Sequence, residues 1–170
     1  MARLPYADSN NPEIATVVER IERERGKVLN LYGMLLSSPP VAEGWLAFLT
    51  AIRQKCKLSG RDRELVIMRI AVLNGAEYEF RAHAPFALKD GLTETQIEAL
   101  RENRLDAFDA RDRDILAYCD SMTREIHVPD TVFQAVRPYF DDREMVELTA
   151  TIAAYNLVSR FLEALQIDHD

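Results

Sequence analysis

The chain has 170 residues, of which 48% are hydrophobic and only 6 are glycine and 7 proline, and its net charge is −7. This length and composition predict one well-packed domain over residues 1–170 rather than a linker-rich chain. The acidic balance, with charges of both signs interspersed, argues against binding to nucleic acid or to an anionic membrane. We therefore expect a small-molecule substrate or a protein partner.

Targeting and redox signals are weak along the chain. No stretch approaches the roughly 18 consecutive apolar residues of a membrane span, and the first residues lack the apolar core of a signal peptide, so we expect a cytoplasmic protein. Cys56 and Cys119 form neither a C-x-x-C pair nor a Cys/His cluster. We expect two reduced thiols and no metal site.

Helical periodicity runs through almost the whole sequence, and no segment alternates as a β-strand does. The fold class predicted is all-α, a compact bundle of several helices. Ser59 is expected to cap a helix whose run 65–73 is apolar on nearly every face and should be buried. Pro85 falls inside the following helix, where a kink is one outcome. Thr93 and Gln96 form a capping-box pattern. In chain order, the predicted helices cover about 13–25, 28–36, 41–56, 59–73, 76–89, 93–102, 109–125, 129–137 and 143–165.

The most informative stretch runs from Glu64 to His83. It spans a buried helix, a tight break and the start of a second helix, so the two side chains converge if the helices pack side by side. Glu79 and His83 lie four residues apart on one helical face, close enough for a carboxylate to hold an imidazole. Histidine changes its charge near neutral pH, so such a cluster is suited to proton transfer.

Several short motifs give the chain a family resemblance. It resembles the carboxymuconolactone decarboxylase-like superfamily, which includes the alkylhydroperoxidase D-like proteins, over about residues 39–100, and a branch of it again near the C-terminus. The motifs are Leu58-Ser59, Arg63-Glu64, Tyr78-Glu79-Phe80 with His83, Gly91-Leu92, Gln96-Ile97, Tyr155-Asn156 and Arg160-Phe161-Leu162.

The peroxidase branch of this superfamily has a glutamate, then a C-x-x-C pair, then a histidine, which together relay a proton to a thiolate. Aligned on Glu64 and His83, the positions of the two cysteines hold Ala76 and Glu79. Thiolate chemistry needs one sulfur that ionises and a second that resolves the sulfenic acid. The resemblance therefore implies a site of acid–base character instead of peroxidase activity.

The decarboxylase that gives the superfamily its name acts on a carboxylated lactone without a metal ion or an organic cofactor. The resemblance implies a lyase-type enzyme with no cofactor, in which His83 or Glu79 donates a proton and Glu64 orients it or acts as a second acid. Tyr78 and Tyr32 are candidates to contact a carbonyl oxygen. Because arginine binds carboxylates in a bidentate manner, the candidate anion-binding residues are Arg69, Arg81 and Arg160.

Other interpretations stay open. One is a peroxidase with a non-standard thiol, and another is a non-catalytic helical module that serves oligomerisation. Family members commonly form trimers or hexamers, so we expect a homo-oligomer. Arg69 and Arg160 lie in apolar runs and are expected to pair with carboxylates, with Glu64 a candidate partner of Arg69.

Overall fold

Nine α-helices and three short 3-10 turns, without a β-strand, make up the regular structure of residues 1–170, all of which the computed structural model describes. The all-α prediction is confirmed. The helices are α1 Ala15–Arg25, α2 Asn30–Leu35, α3 Pro39–Gln54, α4 Gly60–Asn74, α5 Glu77–Lys89, α6 Glu94–Arg101, α7 Ala110–Arg124, α8 Asp130–Val136 and α9 Asp142–Leu165.

The chain groups into two compact units. Unit 1 contains residues 1–55 and 161–170, and unit 2 contains residues 56–160. The prediction of a single domain stays a prediction. None of the helices is long and apolar enough to cross a membrane.

Unit 1 is built on α1, α2 and α3. Trp45 of α3 packs against Phe161 with ring centroids 5.1 Å apart. Arg25, at the end of α1, donates hydrogen bonds to the hydroxyl of Tyr32 at 3.1 Å and to Thr50 at 2.9 Å. These contacts tie the last turn of α1 to α2 and α3.

Unit 2 is organised around α4, which packs against α5, α6 and α7. Of the run 65–73, predicted to be buried from its apolar composition, residues 65–71 are buried and residues 72 and 73 are half-buried. Ser59 caps α4 by accepting a 3.0 Å hydrogen bond from the amide of Asp62. The capping box of Thr93 and Gln96 opens α6. Both cap predictions are confirmed.

A tight reversal joins α4 to α5. Gly75 ends α4 with φ +67°, a left-handed conformation that disfavours residues with a Cβ. The amide of Ala76 then donates to the carbonyl of Ala71 at 2.8 Å, which closes the end of the helix. Pro85 lies inside α5, which continues to Lys89. The reversal packs α5 alongside α4, and this arrangement positions the candidate site.

Candidate functional site

Glu64 and His83 meet across the α4–α5 pair. The Nδ1 atom of His83 lies 2.7 Å from Oε2 of Glu64. Glu64 is 1% exposed and His83 is 7% exposed, so the contact is shielded from water. The convergence expected from the sequence is therefore observed. Glu64, on the neighbouring helix, accepts this Nδ1 hydrogen bond, and the suggested contact between Glu79 and His83 stays a prediction.

The charge of Glu64 decides the direction of this hydrogen bond. Burial alone raises the pKa of Glu64, but the hydrogen bond from His83 and the charges of His83 and Arg63 together lower that pKa below its ordinary value. An ionised carboxylate only accepts hydrogen bonds, so Nδ1 of His83 is the donor. In the neutral ring this leaves Nε2 as the nitrogen with a free lone pair.

Arg63 and Asp90 extend the polar contacts of Glu64. Nε of Arg63 lies 3.1 Å from Oε1 of Glu64, and Nη2 of Arg63 lies 2.8 Å from Oδ2 of Asp90. Asp90 is the residue that caps the C-terminal end of α5. Arg63 and Glu64 of α4 therefore lie between His83 of α5 and Asp90 at the end of that helix.

Two aromatic rings flank His83. The ring of Tyr155, from α9, meets the imidazole edge-on with centroids 5.1 Å apart, and the ring of Phe86 lies 5.9 Å away. Tyr155 is 2% exposed, whereas Phe86 is 44% exposed. The imidazole therefore has a buried aromatic neighbour on one side and a surface aromatic neighbour on the other.

Glu79 and Tyr78 lie in the first turn of α5. Glu79 is 1% exposed and Tyr78 is 9% exposed. Both are on the helix that carries His83, and their catalytic roles stay predictions.

The three candidate anion-binding arginines have different surroundings. Arg69 is 1% exposed and bound by Asp120 through two hydrogen bonds of 2.7 and 2.6 Å and by Asn103 at 2.8 Å. The suggestion that Glu64 pairs with Arg69 was wrong, because the guanidinium of Arg69 is bound by Asp120 of α7. Arg69 and Asp120 form a structural ion pair.

Arg81 and Arg160 are both exposed. Arg81 pairs with Glu77 at 2.7 Å, one turn before it on α5. Arg160 donates to the side-chain and backbone oxygens of Asn156 at 2.8 and 3.1 Å. Asn156 is thus the partner of Arg160 where the sequence suggested a carboxylate. Of the three arginines, Arg160 is the one whose hydrogen bonds go to neutral oxygens and not to a carboxylate.

Tyr32 belongs to unit 1. It is 3% exposed, and burial raises the pKa of its hydroxyl while the charge of Arg25 lowers it less. Its suggested contact with a substrate stays a prediction.

The two thiols are both poorly suited to nucleophilic chemistry. Burial and then the charge of Glu147 raise the pKa of Cys56. Burial, and then the charge of Asp120, raise the pKa of Cys119, whose side chain is fully buried. A reactive cysteine has a lowered pKa instead.

The sequence did not indicate that the side chains of Arg63, Asp90 and Phe86 lie around the Glu64–His83 pair. Arg63 and Tyr155 stood in the motifs of the family resemblance, but without an assigned function. The position of Asp90 next to Gly91, at the end of the predicted helix, was the available signal. No group of three or more His, Cys, Asp or Glu side chains is arranged to hold a metal ion.

Known proteins resemble both the sequence and the fold. Residues 39–120, which contain Glu64 and His83, match the model of the Carboxymuconolactone decarboxylase family. The uncharacterized protein YdfG of Bacillus subtilis (strain 168) is 28% identical over 115 residues, which cover 66% of this chain and 78% of YdfG.

Two solved structures extend the likeness to nearly the whole chain. An uncharacterized peroxidase-related protein from Ralstonia eutropha JMP134, with an alkylhydroperoxidase AhpD core, has a TM-score of 0.83 at 19% identity and covers 99% of this chain and 92% of its own. A cysteine-to-alanine variant of the debrominase Bmp8, in complex with 2,3,4-tribromopyrrole, has a TM-score of 0.78 at 17% identity and covers 100% and 94%. At these identities the two structures establish the fold. The match over residues 39–120 makes this part of the chain similar to the Carboxymuconolactone decarboxylase family, and the Ralstonia structure shows that the fold is shared with a protein that has an AhpD core.

Proposed function

We propose that the protein is a cofactor-free enzyme that transfers protons on a small carboxylated or lactone-type molecule, in a decarboxylation, isomerisation or hydration. The observation that carries the proposal is the shielded 2.7 Å hydrogen bond between His83 and Glu64. A histidine oriented by a buried carboxylate is the arrangement that general acid–base catalysis uses.

In this mechanism Nε2 of His83 exchanges the proton with the substrate. Glu64 holds Nδ1–H, which keeps the lone pair on Nε2, and its negative charge stabilises the imidazolium that forms when Nε2 accepts a proton. In an isomerisation the same ring returns the proton to another carbon, and in a hydration it passes the proton of the attacking water to carbon. In a decarboxylation the imidazolium form donates its proton to the carbon from which CO₂ has left. Glu64 has one oxygen on His83 and the other on Arg63, so we assign it the orienting role.

The surroundings of His83 favour a planar, unsaturated substrate. Tyr155 and Phe86 offer ring faces and edges beside the imidazole, and a developing dienolate is flat and apolar apart from its oxygens. We propose Arg160 as the group that binds the substrate carboxylate, since Asn156 occupies only part of its guanidinium. Glu79 and Tyr78 are the candidates for a second acid.

Thiol peroxidase chemistry is the competing function within the superfamily. Two of the similar solved proteins carry the words peroxidase-related and debrominase in their names. In this chain the pKa values of Cys56 and Cys119 are both raised, so neither thiol supplies a thiolate readily at neutral pH. The chemistry of the side chains therefore favours the acid–base function.

The test is proton exchange and turnover of a panel of carboxylated unsaturated lactones and enol acids in D₂O, followed by proton NMR. We expect turnover by the wild type and a loss of about 100-fold or more in kcat for His83→Gln. His127→Gln, at an exposed histidine, is the matched control and should retain full activity.

Two outcomes would contradict the proposal. One is wild-type protein that neither turns over nor exchanges any member of the panel, and the other is full activity in His83→Gln. Hydroperoxide turnover that disappears in a variant with both Cys56→Ser and Cys119→Ser would establish the thiol function instead.

A further inference from the structure

We propose that Arg63 and Asp90 act as a positioning pair, which fixes the Glu64 carboxylate and thereby keeps His83 in the tautomer with its proton on Nδ1. This inference rests on the proposed function, because the lone pair on Nε2 matters only if His83 transfers protons. The geometry on which it depends is nevertheless measurable in the protein without a substrate.

The two oxygens of the Glu64 carboxylate contact two different donors. Oε1 faces Nε of Arg63 at 3.1 Å, and Oε2 faces Nδ1 of His83 at 2.7 Å. Because each oxygen has its own donor, the carboxylate cannot rotate without breaking one of the two hydrogen bonds. Without Arg63, the Glu64 carboxylate would be free to rotate, and its hydrogen bond with Nδ1 of His83 would be less directional.

Arg63 is itself held in place by Asp90. Its Nη2 atom lies 2.8 Å from Oδ2 of Asp90, and the Arg63 side chain is only 17% exposed. Asp90 caps the end of α5, seven residues after His83. Arg63 and Glu64 on α4 therefore contact the cap of α5 and His83 within α5 through two adjacent hydrogen-bonded contacts, which fix the position of one helix against the other.

Gly60, the first residue of α4, allows the Asp90 side chain to approach the backbone closely. A Cβ added at Gly60 would lie 2.5 Å from Oδ2 and 2.7 Å from Cγ of Asp90, so even alanine would displace this carboxylate. The Asp90 side chain thus sits directly against the start of α4. Glycine at this position is what makes the Asp90–Arg63 contact possible.

The other charged residues at the start of α4 do not substitute for Arg63. Arg61 binds Asp112 through two hydrogen bonds, and Asp62 is bound by Arg111 in the same manner. Both therefore point to α7. Among the charged side chains of this turn, Arg63 is the one directed toward Glu64 and Asp90.

The experiment is NMR of ¹⁵N-labelled imidazoles in the free protein. The chain has three histidines, so His83 is assigned by comparison with His83→Gln. We expect the wild type to show the Nδ1–H tautomer of His83 with a slowly exchanging proton. Arg63→Met, Asp90→Asn and Gly60→Ala should each produce a mixture of tautomers and faster exchange, and Arg63→Lys should restore part of the wild-type signal.

Gly60→Ala is the most informative variant. It retains all four polar side chains and places a good helix former in a helix, so its effect on the His83 signal reports the displacement of Asp90 and not a loss of folding. Arg104→Met, which removes an exposed ion pair with Glu102, is the matched control and should leave the His83 signal unchanged. An unchanged tautomer and exchange rate in Arg63→Met, Asp90→Asn and Gly60→Ala would overturn the inference.

The activity measurements separate this inference from the proposed function. We expect Arg63→Met to lower kcat about 10-fold with little change in KM, because the residue acts through Glu64 and not on the substrate. A changed tautomer with an inactive wild type would refute the proposed function and leave the positioning intact. An unchanged tautomer, with activity that depends on His83, would refute the positioning alone.

Discussion

At the scale of single residues, the ionised state of Glu64 links the site to the stability of the protein. Burial raises the pKa of Glu64, but the hydrogen bonds and charges of His83 and Arg63 lower it by more, so the folded-state pKa lies below the ordinary value of 4.5. Its contribution to folding is therefore complete above about pH 4.5 and is lost as the pH falls through the lowered pKa. We expect Glu64→Gln to reduce the free energy of unfolding by about 1–3 kcal/mol at neutral pH.

The pH dependence of that difference is the sharper part of the prediction. In acid, below the lowered pKa, Glu64 is protonated and resembles glutamine, so the difference between wild type and Glu64→Gln should shrink toward zero. Urea unfolding from about pH 7 down to about pH 3 measures it. Glu98→Gln, at an exposed glutamate of α6, controls for the loss of a surface charge. A constant difference at every pH would contradict the role given to the carboxylate charge.

The Arg69–Asp120 pair gives a second prediction at this scale. Arg69 is 1% exposed, so Asp120→Ala leaves a buried guanidinium without its carboxylate. Removing one partner of a buried pair destabilises a protein by about 3–5 kcal/mol. We expect a loss near the lower end, about 3 kcal/mol, because the Asp120 side chain is 22% exposed. Urea unfolding checks it against Glu102→Ala, which breaks an exposed pair, and equal effects of the two substitutions would refute it.

The sequence predicted the meeting of Glu64 and His83 because they lie on two consecutive helices that are joined by a tight break and can pack side by side. It did not predict the partner of Arg69, since Asp120 is 51 residues away and reaches it only through the packing of α7 on α4. The Arg63–Asp90 contact was missed for a similar reason. Periodicity indicates which face of a helix is buried, but not which side chain of a neighbouring helix it meets.

At the scale of elements, the predicted helices agree with the structure to within about two residues at most ends. The agreement follows from strong local signals, such as the cap at Ser59, the capping box at Thr93 and the left-handed glycines Gly26 and Gly75. These signals act within one turn of the chain, so they are readable without tertiary contacts. The contacts between helices are not encoded locally in this way.

The reversal at Gly75 carries a prediction for the α4–α5 pair. A Cβ at Gly75 would meet no atom within 4 Å, so Gly75→Ala tests backbone conformation alone. Because φ is +67°, we expect alanine to lower stability by about 1–2 kcal/mol. Gly44→Ala, inside α3 and also without contacts, should instead raise stability by about 0.5–1 kcal/mol. Thermal unfolding distinguishes the two, and shifts of the same sign would contradict this account.

At the scale of the whole molecule, the fold is shared by proteins with different names and only 17–19% identity, so the fold does not determine the reaction. The local chemistry differs where a reaction would be decided. The resemblance aligns Glu64 and His83 with the glutamate and the histidine of the peroxidase branch, and Ala76 and Glu79 with its cysteine pair. We therefore expect the activity to depend on a carboxylate and an imidazole and not on a thiolate.

The exposed apolar side chains of the chain bear on its oligomeric state. Large apolar side chains remain exposed on several helices, including Val146 at 68% and Leu157 at 48%, which lie on one face of α9. Such surfaces are commonly covered by a second copy of a chain. We expect a homo-oligomer, a trimer or a hexamer, with a mass of three or six times 19.4 kDa in light scattering after size exclusion. A mass of 19.4 kDa across the concentration range would contradict it, and the proposed acid–base site would then have to be complete within a single chain.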